Sequence, residues 1–270
     1  MSAIKNIWAN FKKYQFLMSQ LIMRDFKVKY KRSVLGVLWS ILQPVLMMAV
    51  MAVVFSQMFK FSVEGTNYLV YLMTGLIMFN YFSEASTNAM TSVVYNFTLI
   101  NKVYIPKYIF PISKCLFVGI NFLFTLIPWF AIILLSFVGL GQYPASINWL
   151  YLLLPIIFLC LFMFTLGIGM IVSCVSVFLR DMFYIYSIII TIWNYLTPVF
   201  YSIEILPANL QKIFALNPLY VFIDGARKIV LFGNAPTLSN FLVMGIVSFG
   251  TLLIGLLVFK KHQDKFIYYI

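Results

Sequence analysis

Charge is scarce in this chain. Asp, Glu, Lys and Arg make up 10% of 270 residues, whereas 63% are apolar or aromatic. A soluble globular chain carries about a quarter charged residues. Too little polar surface exists here to cover a core in water, which excludes a soluble enzyme and a disordered chain. Acid is scarcer still. The seven carboxylates, Asp25, Glu64, Glu84, Asp181, Glu204, Asp224 and Asp264, form no paired cluster in sequence. Histidine occurs once, at His262, so a histidine-rich metal site is excluded. The three cysteines, Cys115, Cys160 and Cys174, lie in apolar runs with no CxxC spacing and read as small hydrophobes rather than a disulfide scaffold. No GxxxxGK[ST], GxGxxG or HExxH motif is present, so the chain lacks the loops that cradle nucleotide phosphates and the helix that holds catalytic zinc.

What is present is long apolar sequence. A membrane-crossing helix needs about 20 apolar residues. Six stretches are predicted to cross: about Val34–Phe59, Tyr68–Met90, Cys115–Gly139, Trp149–Val177, Phe183–Tyr201 and Phe241–Phe259. The fourth is long and expected to bend near Pro155, Gly167 and Gly169. The predicted class is therefore an all-α polytopic membrane protein, a single domain over residues 1–270.

The stretch Ser202–Asn240 is interrupted by Pro207, Pro218, Asp224, Arg227 and Lys228. Asn217-Pro218 reads as an N-cap followed by proline at the first helical position. Leu206-Pro207 opens another short segment. Two short helices that dip into the membrane and return are expected between spans five and six. A seventh span is the alternative, and the cations decide against it. Nineteen Lys and Arg stand against seven acids, a net charge of +12. With six spans and both termini on one side, fifteen of the nineteen cations fall on that side, which the positive-inside rule assigns to the cytosol. The basic balance therefore orients the chain and gives no argument for nucleic acid.

Before the first span, residues 1–33 form a basic amphipathic stretch. Ile4, Ile7, Trp8, Phe11, Leu17, Leu21 and Ile22 fall at helical spacing beside Lys5, Lys12 and Lys13. Arg24, Lys27, Lys29, Lys31 and Arg32 follow. Such a helix lies in the interface with cations at phosphate depth, and a mere topology anchor is the alternative. Glu84 is the one acid inside a span, among Ser83, Ser86, Thr87 and Asn88. It reads as a helix brace or as support for ion coupling. Phe, Tyr and Trp make up 19% of the chain. Tyr68, Tyr71, Phe79, Tyr81 and Phe82 on span two, and Trp193, Tyr195, Phe200 and Tyr201 on span five, are candidate channel-lining rings, because flat rings with polar tips suit sugar faces, and helix–lipid packing is the alternative for each.

Five patterns occur in order along the chain. Arg24-Asp25-Phe26-Lys27-Val28-Lys29-Tyr30-Lys31-Arg32-Ser33 leads through Leu38-Trp39 to Gln43-Pro44. Asn101-Lys102-Val103-Tyr104-Ile105-Pro106-Lys107 follows span two, and Leu179-Arg180-Asp181 follows span four. Thr197-Pro198-Val199-Phe200-Tyr201 ends span five, and Leu216-Asn217-Pro218 comes after it. Together they resemble the permease subunits of type-2 ABC exporters for polysaccharides and polyol phosphates, which include O-antigen, capsule and teichoic acid exporters. The resemblance implies a homodimer around a conduit in a bacterial plasma (inner) membrane, with two copies of a separate subunit that bind ATP and Mg. It implies that the N-terminal helix gates the cytosolic mouth and that the short dipping helices line the exit. Lys102, Pro106, Lys107, Arg180 and Asp181 would then couple to the ATPase, through a stiff loop at about Val94–Ser113. The cargo would be a lipid-diphosphate-linked glycan, whose headgroup would find cations at Arg24, Lys27, Lys31 and Arg32. Residues 34–259 would hold the spans and 260–270 a cytosolic tail. No covalent chemistry, metal or cofactor is expected in the chain itself. Export of a small amphiphile by the same fold, an ion-coupled flippase, and a membrane-embedded glycosyl- or phosphotransferase remain the alternatives.

Overall fold

The computed structural model describes residues 2–31, 33–54, 66–102, 105–138 and 145–269. Arg32, Glu64, the end of the first expected span beyond residue 54, and the side chains of Ile4, Ile7, Trp8, Phe11, Lys5, Lys12 and Lys13 lie outside what it describes. Every regular element among the described residues is helical. In chain order these are α1 (Ser2–Lys29), α2 (Trp39–Val53), α3 (Tyr68–Tyr95), α4 (Phe97–Lys102), α5 (Ile109–Phe137), α6 (Leu154–Phe178), α7 (Met182–Leu196), α8 (Ala208–Ala215), α9 (Pro218–Phe232) and α10 (Leu238–His262).

Among the described residues, three helical stretches are long and apolar enough to cross a membrane: Ile109–Phe137, Trp149–Phe178 and Leu238–Tyr268. Each has 29 to 31 residues, so each reaches about 45 Å against a hydrocarbon core of about 30 Å. Trp39–Met51 and Met182–Leu196 are apolar but shorter. Helix α3 has the length, at 28 residues, but a polar face dilutes its apolar character. Helix α7 ends at Leu196, before the expected Tyr201, because Pro198 drives Thr197 to an extended backbone (φ −98°, ψ 127°). Helix α5 begins at Ile109, before the expected Cys115. Pro111 sits in its first turn, where the missing N–H has no intrahelical partner to lose.

Helix α6 is the centre of the bundle, packed on α10, α3 and α5. Apolar side chains gain little from leaving lipid, so close packing and polar contacts between helices have to hold membrane helices together. Small residues allow that approach. A Cβ on Gly169 would lie 2.8 Å from Ala89 Cβ on α3, and one on Gly255 would lie 2.4 Å from the Gly167 carbonyl oxygen. Ser176 Oγ donates to the Met90 carbonyl (2.8 Å), tying α6 to α3 again. Large rings fill the rest: Trp129, Phe79, Phe82, Phe110, Phe164 and Phe222 are fully buried. The Trp129 indole N–H donates to Thr74 Oγ1 at 3.1 Å.

Polar side chains start the helices beyond the bundle core. Asn67 accepts from the amides of Leu69 and Val70 at the head of α3, and Thr237 accepts from Asn240 at the head of α10. Asn217 accepts from Leu219, with Pro218 in the first turn of α9, as the sequence predicts. Pro207 precedes α8. Helix α9 packs on α3, α6 and α10 at the end of the bundle opposite α1.

Candidate functional site

Helix α3 organises three regions. At its start lies a knot around Arg227 of α9. This guanidinium is 3% exposed. Its Nη1 donates to the Pro198 carbonyl (2.7 Å), its Nη2 to those of Val199 (2.9 Å) and Tyr71 (3.2 Å), and its Nε to Tyr71 again (3.2 Å). The guanidinium carbon lies 3.4 Å from the Tyr71 ring centroid. Among the described residues no carboxylate bridges it; the neighbouring Asp224 pairs instead with Lys228 at 2.7 Å. A buried charge is costly unless hydrogen bonds replace its water; here the carbonyls of Pro198 and Val199, at the break after α7, and that of Tyr71 in the first turn of α3 supply them. Gly75 leaves room, since a Cβ there would lie 2.6 Å from Arg227 Nη2.

Most of the candidate rings gather around this knot. Tyr68 and Tyr71 stack at 6.2 Å, and their hydroxyls donate to the carbonyls of Phe200 (2.7 Å) and Tyr201 (2.8 Å). Tyr201 donates to the Tyr195 carbonyl at 2.9 Å. Trp193 Nε1 donates to Asn217 Oδ1 at 3.0 Å. Phe79, Tyr81 and Phe82 are buried within the chain itself, and Phe82 meets Trp193 edge-on at 5.0 Å. Tyr195 is exposed.

The middle of α3 carries a polar stripe. Asn80, Ser83, Glu84, Thr87 and Asn88 recur every three or four residues and so share one face over about 12 Å. That face, the end of α1, and α2 and α5 enclose an open groove of about 680 Å³. Lys29 of α1 reaches across it to Glu84 (3.3 Å), with side chains 37% and 46% exposed. Tyr30 hydroxyl contacts Ser40 Oγ of α2 and lies 3.4 Å from Asn121 Oδ1 of α5. Gln43 and Trp39 form the α2 wall.

At the far end of α3 the N-terminal helix is fastened. Asp25, 8% exposed, accepts from Arg24 (3.1 Å) and lies 2.8 Å from Lys114 Nζ of α5. Arg24 Nη1 donates to Asn96 Oδ1 just past α3 (2.9 Å). Phe26 meets Phe117 edge-on at 4.7 Å. The second half of α1 thus runs alongside α5, with Met18, Leu21 and Asp25 on its buried face. Of the headgroup candidates, Arg24 is engaged in this network, and Lys27 and Lys31 are exposed.

The same end of the bundle carries the coupling candidates. Lys107 donates to the Gln263 carbonyl (2.6 Å) and stands 5.8 Å above the Phe266 ring. Burial draws its ammonium below the ordinary lysine value, and Asp264 nearby opposes that shift. Phe266 and Tyr269 pack edge-on against Phe178, two residues before Arg180. The structure so joins the Ile105–Tyr108 segment, the C-terminal tail and the turn after α6 into one surface. Pro106 is half-buried, and Lys102, Arg180 and Asp181 are exposed.

Reading the residues in order along the chain leaves three of these features out: the Lys29–Glu84 pair, the Asp25–Lys114 pair and the Arg227 knot. The first two join residues 55 and 89 positions apart. The third had a signal, since Arg227 is flanked one turn away by Ile223, Val230 and Leu231 and sits on an apolar face.

A helical bundle with apolar helices of membrane-crossing length defines a polytopic membrane protein, here with a polar groove between its first helices. Residues 17–231 match the family model described as ABC-2 type transporter, and the chain belongs to that family. The chain is 31% identical over 245 residues to the O-antigen export system permease protein RfbA of Klebsiella pneumoniae, covering 90% of each. It is 26% identical over 255 residues to the protein of that name from Myxococcus xanthus (94% of this chain, 95% of that one). It is 22% identical over 249 residues to the polysialic acid transport protein KpsM of Escherichia coli (90% and 92%). The chain is therefore a multi-pass membrane permease of the ABC transporter type, and its relatives serve polysaccharide export.

Proposed function

We propose that the chain is the membrane-spanning subunit of an ATP-driven exporter that moves a lipid-linked polysaccharide or teichoic-acid-like glycopolymer across the plasma (inner) membrane of a bacterium. In this reading two copies form a channel. Helices α2, α3, α5, α6, α7 and α10 make six spans, α8 and α9 are re-entrant, and both termini are cytosolic. Two copies of an ATP-binding subunit, which hold ATP and Mg, dock on the surface formed by Pro106, Lys107, the tail and the Arg180-Asp181 turn. Nucleotide in that partner binds one arrangement of the dimer better and so shifts the population towards it.

The observation that carries the reading is the polar stripe on α3. Unsatisfied carboxamides and a charged pair are expensive against hydrocarbon. Asn80, Glu84 and Thr87 nevertheless stay exposed in a single chain. Such a face suits a water-filled or sugar-filled path, and the likeness to O-antigen and capsule export permeases supports it.

Deleting the gene is the test. Surface polymer is expected to vanish and lipid-linked polymer to accumulate inside, with both reversed by the wild-type chain. Affinity purification is expected to bring down the ATP-binding subunit. Normal surface polymer in the deletion strain, or transport by the purified chain with no ATPase present, refutes the proposal.

A further inference from the structure

The groove between α1, α2 and α3 has a chemistry of its own. Among the described residues, the ionised side chains lining it are Lys29 and Glu84, and they neutralise each other. A site built for a diphosphate keeps surplus cations aimed at its ligand. The described lining residues leave no surplus, and Arg24 is engaged with Asp25 and Asn96. What it offers freely is neutral hydrogen bonding. The carboxamides of Asn80 and Gln43 make no hydrogen bond among the described residues, and each can donate twice and accept. On the α2 wall beside Gln43, facing the α3 stripe that carries Asn80, stands the Trp39 ring, 41% exposed, with the apolar Met47 on the same helix. A sugar ring presents this same combination of a hydroxyl edge and a C–H face. The volume, about 680 Å³, lies in the range of about 300–1,000 Å³ typical of small-ligand clefts.

Building on the export reading, we infer that this groove is a subsite for neutral sugar rings of the polymer, held by Asn80 and Gln43 and stacked on Trp39, and that it does not bind the diphosphate. Hydroxyl groups satisfy the two carboxamides that the described residues leave without a partner. The Lys29–Glu84 pair borders the site and stays paired when sugar is bound, because a neutral ligand gives neither ion a better partner.

The experiment uses the purified complex of the chain with its ATP-binding subunit. One probe is the glycan freed from the cells' own lipid-linked polymer by mild acid and labelled at its reducing end. The other is inorganic pyrophosphate. Binding is measured by equilibrium dialysis for wild type, Asn80→Leu, Gln43→Leu and the conservative Asn80→Gln. Losing one well-placed hydrogen-bonding group is expected to weaken glycan binding about tenfold in each Leu variant. Asn80→Gln is expected to recover part of the loss, and pyrophosphate binding to stay unchanged throughout. Wild-type glycan affinity in both Leu variants overturns the inference, as does absent glycan binding by the wild type or a loss confined to pyrophosphate. Surface polymer in the same strains separates the two proposals. If export requires the chain but Asn80→Leu binds glycan and exports normally, the subsite alone falls. If polymer reaches the surface without the chain, the export reading falls.

Discussion

Arg227 and Gly75 should behave as one unit. Arg227→Met removes the guanidinium and leaves the carbonyls of Pro198 and Val199 without it in a buried place. Each orphaned carbonyl costs about 1–3 kcal/mol. Against this, the variant no longer has to desolvate a cation, which returns part of the loss. The expected net destabilisation is about 2–4 kcal/mol. Gly75→Ala acts on the same bonds from the other side. Its Cβ would sit 2.6 Å from Nη2 and 3.2 Å from Val199 Cγ1. Arginine tips usually move aside at little cost, but this one is held by three carbonyls. Displacing Nη2 loses its bonds to Tyr71 and Val199, again about 2–4 kcal/mol. In Gly75→Ala/Arg227→Met those bonds are already absent and a thioether can yield. The double variant should fall short of the summed single effects by at least about 1 kcal/mol. Thermal unfolding of the four purified proteins in one detergent, followed by tryptophan emission, reads the cycle. Strict additivity, or an Arg227→Met protein as stable as wild type, refutes the argument that these carbonyls anchor the end of α3.

Other expectations follow from the remaining contacts. Asp25→Asn should loosen α1 from α5 by about 1–3 kcal/mol, since it leaves Lys114 without its carboxylate, and limited proteolysis should then cut within α1 sooner; unchanged cutting rates count against the fastening. Glu84→Gln should change stability by no more than about 1 kcal/mol, because both partners are substantially solvated, and a larger shift in the same unfolding assay contradicts that. Gly167→Leu should drive α6 from α10, as a Cβ there would meet the Thr251 backbone at 2.5 Å; Gly245→Ala, which meets nothing within 4 Å, is the control, and equal unfolding temperatures for the two variants dismiss the crossing as a determinant. Lys107→Ala should release the tail, seen as faster hydrogen exchange over residues 263–269 with the exchange of α6 unaltered.

Local chemistry was legible in sequence where a residue acts on its own neighbours. Asn217-Pro218 starts α9 because the side chain caps the amide two residues on and proline needs no donor, and both facts are written in adjacent letters. The break after Leu196 was harder, since apolar sequence continues to Tyr201 and only Pro198 signals the end. The start of α5 was misplaced for a physical reason. Pro111, Ser113 and Lys114 look like loop residues, yet Lys114 becomes acceptable in a helix once Asp25, 89 residues earlier, stands beside it. On span two the two faces were not separated. Phe79 and Phe82 face the core and Asn80 and Glu84 face the groove, and each pair is only a residue or two from the other along the chain. A hydropathy average merges them, which is also why α3 falls short as an apolar span.

The distribution of partners along α3 bears on how such a bundle could move. Both ends of this helix are tied by charge-assisted bonds: the buried Arg227 to Tyr71 at one, and at the other the part-buried Arg24 to Asn96, with the buried Asp25 and its Lys114 partner beyond it. The buried ones among them, at Arg227 and Asp25, are lost at a cost of a few kcal/mol each. The middle, by contrast, meets α1 through a half-exposed ion pair worth at most about 1 kcal/mol, and meets α2 across the open groove. A rearrangement driven by a partner's nucleotide would spend least by opening where the contacts are weakest. The elements expected to move against α3 are therefore α2 and the Lys29–Tyr30 end of α1, with the Asp25 network as the fixed point about which that end turns. Spin labels on residues 46 and 80 should then change separation between nucleotide states more than labels on residues 95 and 113, and the reverse order would place the hinge elsewhere.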